Sequence, residues 1–228
     1  MADPVAAHYA NDENLADVIA ERLQLAGKNL DHLTTADLAT VDEFHIRGRK
    51  ATIELGERMK LTKDSRVLDI GSGLGGPARR LAETYGCHVT GIDLTQAFCD
   101  AAETMSEWVK IGDRVTFQQG DATALPFADE SVDLVFTSGV LIHVAPDELE
   151  RAVREIVRVA RHYVLCVEYF SHEPQQVTYR GREGYLFKRD FGKFYLEQFP
   201  ALRVLDYGFL WQPLDSSDDS NWWLFAKR

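Results

Sequence analysis

From Arg66 to Val167, short apolar runs alternate with helical stretches of ten to fifteen residues, and this rhythm constrains the chain most. The runs are Arg66–Ile70 (RVLDI), His88–Ile92 (HVTGI), Arg114–Gln118 (RVTFQ), Val132–Thr137 (VDLVFT) and Tyr163–Val167 (YVLCV). Between them, Pro77 opens a helix to about Tyr85, and another reaches about Lys110. A third has Pro146 in its first turn, Asp147 and Glu148 at the positive end of its dipole, and Arg158 and Arg161 at the other. Its Leu149, Ala152, Val153, Ile156, Val157 and Ala160 form one stripe. Strands alternating with helices need right-handed crossovers and a mainly parallel sheet covered on both faces. The expected class is therefore α/β, a doubly wound, seven-stranded, mostly parallel sheet.

The sixth and seventh strands, Leu202–Phe209 and Trp222–Lys227, follow a helix near Lys188–Phe199. No helix fits the loop between them, so one is expected to run antiparallel, inserted at the sheet edge. Trp222, Trp223 and Phe225 alternate as faces of the last strand. Upstream, Leu15, Val18, Ile19, Leu23 and Ala26 fit one helix stopped by Gly27, and a second is expected over Ile46–Lys60. Residues 1–62 are read as an N-terminal helical lid and 63–228 as the core, with a substrate-facing segment at about 168–195.

Charge narrows the partners. The 228 residues carry 25 Lys+Arg against 36 Asp+Glu, a formal charge of −11. Nucleic acid and anionic membrane both demand a basic footprint, so neither is expected as a partner. Cys87, Cys99 and Cys166 are isolated, with no spacing for zinc or a redox pair, and are read as reduced thiols. No apolar run reaches the roughly 18 residues of a membrane span. The start of the chain is polar and acidic, unlike a signal peptide, so a cytoplasmic location is expected.

In such a sheet, ligands lie beyond the carboxyl ends of the strands. Strand one ends in Asp69-Ile70-Gly71-Ser72-Gly73-Leu74-Gly75-Gly76, strand two in Asp93, strand three in Asp121-Ala122, and strand four in Ser138-Gly139. Glycines at 71 and 73 permit a tight turn with backbone N–H groups close to a ligand. Asp93 is placed to accept both hydrogens of a ribose diol. Asp121 is placed to accept from an adenine amine, with the Ala122 N–H offered to a ring nitrogen. The glycine loop alone is ambiguous, because Gly71-x-Gly73-x-x-Gly76 also satisfies the dinucleotide fingerprint and any strand-to-helix turn favours glycine. Asp69 tilts the balance, since a pyrophosphate prefers neutral or positive surroundings. S-adenosylmethionine carries an ammonium and a sulfonium and no phosphate, which suits three acidic strand ends better than NAD does.

Residues 66 to 137, with VLDIGSGLGGPAR, VTGIDLT and GDATALPFADESVDLV, resemble a class I S-adenosylmethionine-dependent methyltransferase of Rossmann-like fold. With VDEFHIRGRKAT, the first 130 or so residues resemble the small-molecule branch related to sarcosine/dimethylglycine and tocopherol methyltransferases. The resemblance implies that Gly71, Ser72 and Gly73 line the methionine moiety, and that Asp93 and Leu94 meet the ribose. It also implies that Asp121 and Ala122 meet the adenine, and that a carbonyl of Ser138 or Gly139 meets the amino group. The last 95 or so residues, with DLVFTSGVLIHVAPDEL, CVEYFSHEP, YRGREGYLFKRDF and LDYGF, look instead like methylases associated with pseudaminic acid biosynthesis. The chain thus reads either as a hybrid with its changeover near Val132–Thr137, or as an intermediate family.

Methyl transfer is an in-line displacement at a carbon already activated by sulfur, so the protein mainly supplies alignment and excludes water. No metal is required. A base is needed only if the accepting atom holds a proton, and His143 is the best single candidate because it titrates in the useful range. The alternative for His143 is a helix cap or an apolar niche. Glu168 and Tyr169, at the end of strand five, are candidates to hold a cationic acceptor or act as base, or form a structural pair. His45 is expected at the methionine end by resemblance, and Tyr9 is a candidate to close over the cofactor. Tyr179–Lys193 holds Arg180, Arg182, Lys188, Arg189 and Lys193 against Glu183 and Asp190. This is either a solvated face or a landing site for an anionic substrate, with Tyr179, Arg180 and Arg182 as its contacts. The expected function is methyl transfer to a small molecule. The rivals are a cofactor-binding protein without turnover and an NAD-dependent enzyme.

Overall fold

The computed structural model describes residues 14–42, 52, 56–179, 181–211 and 219–227. The chain divides into two compact units, one ending at Gly120 and the other running on from Asp121.

The first unit is built on three parallel strands, β1 (Arg66–Ile70), β2 (His88–Asp93) and β3 (Val115–Gln119), in the order β3-β2-β1. Val67, Leu68 and Ile70 are all buried, as a strand covered on both faces requires. Helix α1 (Leu15–Leu25) buries Ala16, Ile19 and Leu23 along one face. It stops at Gly27, whose φ of 78° lets the Lys28 N–H return to the Leu23 carbonyl. Helix α2 (Thr35–Asp42) opens on a reciprocal cap: the Thr34 N–H and hydroxyl donate to the Asp37 carboxylate, and the Asp37 N–H donates back to the Thr34 hydroxyl. These two helices are not a detached layer. Ile19, Leu23, Leu33 and Leu38 share one core cluster with Leu74, Ala101 and Met105. Helices α3 (Gly76–Tyr85) and α4 (Gln96–Trp108) follow β1 and β2. Most of the helix expected over Ile46–Lys60 lies outside the described residues, and Glu57–Met59 forms a single 3-10 turn.

The second unit holds β4 (Val132–Ser138), β5 (Ala160–Tyr169), β8 (Arg203–Leu210) and β9 (Ser220–Ala226), in the order β4-β5-β9-β8. The two units thus supply the seven strands of a mostly parallel sheet. Only β9 runs against its neighbours, as anticipated. It is not at the edge, however, but pairs antiparallel with β5 on one side and β8 on the other. Helix α5 (Leu149–Val159) starts after Pro146, which lies in the preceding turn and not in its first helical turn. It ends sooner than expected, so Ala160 and Arg161 belong to β5. The stretch before helix α6 (Phe191–Gln198) holds a separate hairpin, β6 (Gln175–Tyr179) with β7 (Arg182–Lys188), where the sequence indicated no strands. Among the described residues no helix is long and apolar enough to cross a membrane.

Candidate functional site

Beyond the end of β1 the backbone turns sharply, with φ values of 68° at Gly71, 51° at Gly73 and 79° at Gly75. Gly71 and Ser72 both donate N–H groups to the Ile92 carbonyl, at 2.7 and 3.0 Å, tying the turn to the end of β2. Two glycines here serve different ends. A side chain on Gly75 would collide with the Phe117 ring, so this glycine allows helix, strand and turn to close up. One on Gly73 would meet nothing within 4 Å, so this glycine leaves room beside the turn.

Carboxylates frame that room. Asp93 Oδ2 accepts from the Gly73 N–H and Oδ1 from the Thr95 N–H, each at 2.9 Å. Burial raises its pKa, and those two backbone bonds oppose the rise. Leu94 is half-buried, and its carbonyl accepts from the Gln119 amide at 2.8 Å. Asp69 is 2% exposed, and its Oδ2 has no hydrogen-bond partner. Burial, reinforced by the neighbouring Asp93 charge, pushes its pKa up to about 8. The buried Ser72 hydroxyl is also unpartnered. Enclosed polar atoms are ordinarily satisfied, so the orphans on Asp69, within β1, and on Ser72, in the turn beyond it, call for a ligand bearing donors and positive charge. S-adenosylmethionine fits that requirement, and a pyrophosphate does not.

Of the expected site residues, Asp69, Gly71, Ser72, Gly73, Asp93 and Leu94 are gathered by the first unit. Beneath them lies a network that sequence reasoning missed. The Arg79 guanidinium is fully buried and pairs with Asp42 at 2.8 Å. It also donates to the carbonyls of Ala102 and Leu74 and to the Ser106 hydroxyl. The Leu74 carbonyl belongs to the glycine turn itself, so α2 is locked to that turn through one side chain. An arginine on a helix face otherwise lined by Pro77, Ala78, Leu81 and Ala82 was the available signal.

In the second unit, Asp121 is exposed and its Oδ1 accepts from the Thr123 N–H at 2.7 Å, while Ala122 is buried. Ser138 ends β4 and Gly139 follows it, with φ 68° and open space where a side chain would project. Its N–H donates to the Val167 carbonyl at 2.8 Å. Glu168, read from sequence as a base, an acceptor-binding group or half of a structural pair with Tyr169, is fully enclosed. Its Oε2 accepts from the N–H groups of Val140 at 3.0 Å and Ile142 at 3.4 Å, holding the 3-10 turn Leu141–His143. Burial pushes its pKa up to about 8 against those bonds. Glu168 is therefore a positioning residue for the turn that carries His143.

His143 meets the hairpin. Its Nδ1 lies 2.6 Å from the Tyr185 carbonyl, and its ring sits edge-on to Tyr179 at 5.5 Å. A carbonyl can only accept, so Nδ1 carries hydrogen and, in the neutral ring, Nε2 carries the lone pair. Tyr169 is half-buried, with the Lys188 ammonium 5.3 Å from its ring centre. Arg182 is exposed near the hairpin tip, its guanidinium 5.7 Å from the Tyr185 ring centre. Tyr9, His45 and Arg180 lie outside the described residues. Among the described residues, no cluster of His, Cys, Asp or Glu could hold a metal ion. All three cysteines are free thiols and buried.

A glycine turn and acidic strand ends thus stand on a doubly wound α/β frame. Residues 67–162 match a family described as a methyltransferase domain. The chain is similar to 27-O-demethylrifamycin SV methyltransferase of Amycolatopsis mediterranei, 36% identical over 147 residues, 64% of this chain and 52% of that one. It is also similar to Methyltransferase GfsG of Streptomyces halstedii, 34% identical over 125 residues, 55% of this chain and 44% of that one. The chain thus spans about half the length of these curated relatives. Its fold matches a geranyl diphosphate C-methyltransferase from Streptomyces coelicolor in complex with Mg2+, geranyl diphosphate and S-adenosyl-L-homocysteine. That match has a TM-score of 0.67 at 15% identity and covers 100% of this chain and 99% of the other.

Proposed function

We propose that the chain transfers a methyl group from S-adenosylmethionine to a small organic acceptor by in-line displacement. The observation that carries the reading is the pair of orphaned polar atoms, Asp69 Oδ2 at the end of β1 and Ser72 Oγ in the glycine turn that follows, within a segment that matches a methyltransferase domain. When bound, the cofactor would supply a methyl group already activated by its sulfonium. The turn at Gly71, Ser72 and Gly73 receives the methionine part, with Asp69 balancing its positive charge. Asp93 exchanges its backbone amides for the ribose hydroxyls, with Leu94 beside them. Asp121 and the Ala122 N–H receive the adenine, and a carbonyl at Ser138 or Gly139 receives the amino group. His143 holds Nδ1 on the Tyr185 carbonyl and presents Nε2 for a proton on the accepting atom. Tyr179, Arg180 and Arg182 are the contacts for an anionic acceptor, and Tyr9 and His45 close over the methionine end.

Calorimetric titration with S-adenosylhomocysteine tests this directly. Asp93→Ala is expected to weaken binding by about 1.5–3 kcal/mol, the loss of a charged hydrogen-bonding partner. Unchanged affinity refutes the ribose role. Thermal stabilisation by NAD in preference to S-adenosylhomocysteine would move the chain to a nicotinamide enzyme. Stoichiometric binding with no transfer across a broad acceptor panel would leave it a binding protein.

A further inference from the structure

Beneath the hairpin, the second unit holds a cavity of about 180 Å³. Leu141, Val144, Leu149, Phe187 and Phe191 make its walls apolar, and Lys188 and Arg189 bring two adjacent cations to it. Arg189 is in an unusual position. Its Nε is buried without a hydrogen-bond partner, and its guanidinium lies flat on Phe194, 4.1 Å from the ring centre. The two acids whose charge reaches it are otherwise occupied. The Asp190 carboxylate caps α6 at the Lys193 N–H (2.9 Å), and Glu197 lies 3.8 Å from the Lys193 ammonium. Among the described residues Arg189 makes no ion pair. A guanidinium partly withdrawn from water and stacked on an aromatic face loses hydration without regaining a carboxylate. Burial accordingly lowers its pKa. In a chain of net charge −11, an arginine left without a carboxylate beside an apolar cavity points to an anion supplied from outside.

We propose that this cavity binds an organic anion with an apolar body, its carboxylate or phosphate paired with Arg189 and its apolar part against Leu149, Phe187 and Phe191. Leu141, in the cavity wall, belongs to the same 3-10 turn as His143. The inference rests on the methyltransferase reading in taking this ligand as the acceptor, while binding itself does not. It also adds Arg189 to the anion contacts on this hairpin, where Arg182 is exposed.

The test is titration of the full chain with octanoate, octyl phosphate and octan-1-ol, followed by calorimetry. The expected result is one-to-one binding of at least one anion, with octanol bound about tenfold more weakly or worse. The stronger anion identifies the head group. Arg189→Gln is expected to lower anion affinity by about tenfold while leaving octanol binding and S-adenosylhomocysteine binding unchanged. The wild-type preference for anion over alcohol needs no variant to fold, so the idea can fail on that measurement alone. Equal binding of anion and alcohol, binding of neither, or an Arg189→Gln chain with undiminished anion affinity would each overturn it. A chain that binds the anion but not S-adenosylhomocysteine would sink the methyltransferase reading and leave this one standing.

Discussion

Asp69 at the end of β1 and Glu168 at the end of β5 are both carboxylates enclosed by the fold, and burial raises both to about 8. They differ in what they hold. Through Oε2, Glu168 accepts two backbone N–H groups and fixes a turn, although its Oε1, like Asp69 Oδ2, has no hydrogen-bond partner. Asp69 Oδ2 has no partner, and its nearest charge, Asp93, repels it. Asp42 shows a third arrangement, enclosed but paired with Arg79. A buried carboxylate bonded to its own backbone is part of the scaffold. One that bonds to nothing is a cost the fold carries until a ligand arrives.

The sharpest way to break this contrast is Glu168→Ala. It removes the acceptor for the Val140 and Ile142 N–H groups and is expected to cost about 2–4 kcal/mol of unfolding free energy, read by urea titration. Glu168→Gln keeps an accepting oxygen and should recover most of that loss. A loss below about 1 kcal/mol in the alanine variant would deny Glu168 its anchoring role.

The two carboxylates also differ in how far sequence exposed them. Asp69, Asp93 and the glycine turn were legible because local rules suffice: a parallel strand must end in a turn, and the turn's glycines carry the signature. The strands were legible for the same reason, since burial on both faces leaves continuous apolar runs. Glu168 was found, but its hold on the Leu141–His143 turn was not legible, because its partners are backbone amides that sequence does not display. The hairpin was missed because its β6 segment, Gln175–Tyr179, carries little apolar alternation. It is held by pairing and by Leu186, which is buried. Helix α2 was overlooked although Thr34-x-x-Asp37 spells its cap. The Arg79–Asp42 pair spans 37 residues, a separation no periodicity can signal.

Asp69→Asn should behave in the opposite sense to Glu168→Ala. Loss of a charge facing the ligand is expected to raise the S-adenosylhomocysteine dissociation constant about tenfold, or about 1.4 kcal/mol. Unfolding free energy at pH 5 should move by less than about 1 kcal/mol, because the native carboxyl is protonated there and its Oδ2 makes no bond to lose. An asparagine variant that binds normally but unfolds early would mean that Asp69 is scaffold and the contrast is false.

The smallest effect is a pH dependence, and its sign is the useful part. An acid whose folded pKa lies near 8, against 3.8 or 4.5 when free, takes up a proton on folding anywhere between those values. The native state then binds more protons than the unfolded one, so stability falls as pH rises from about 4 to about 8 and levels off above. Most enclosed carboxylates in proteins, being paired, give the reverse slope. Between pH 5.5 and 7.5, Asp69 is expected to contribute a decline of about 1 kcal/mol once solvent relaxation is allowed for, well under the limiting 1.4 kcal/mol per pH unit. Urea titrations of wild type and Asp69→Asn across that window separate its share from that of Glu168. Saturating S-adenosylhomocysteine should abolish Asp69's share, because a cation beside the carboxylate pulls its pKa back down. If the ligand-bound and ligand-free slopes are equal, Asp69 does not face the bound ligand's positive charge.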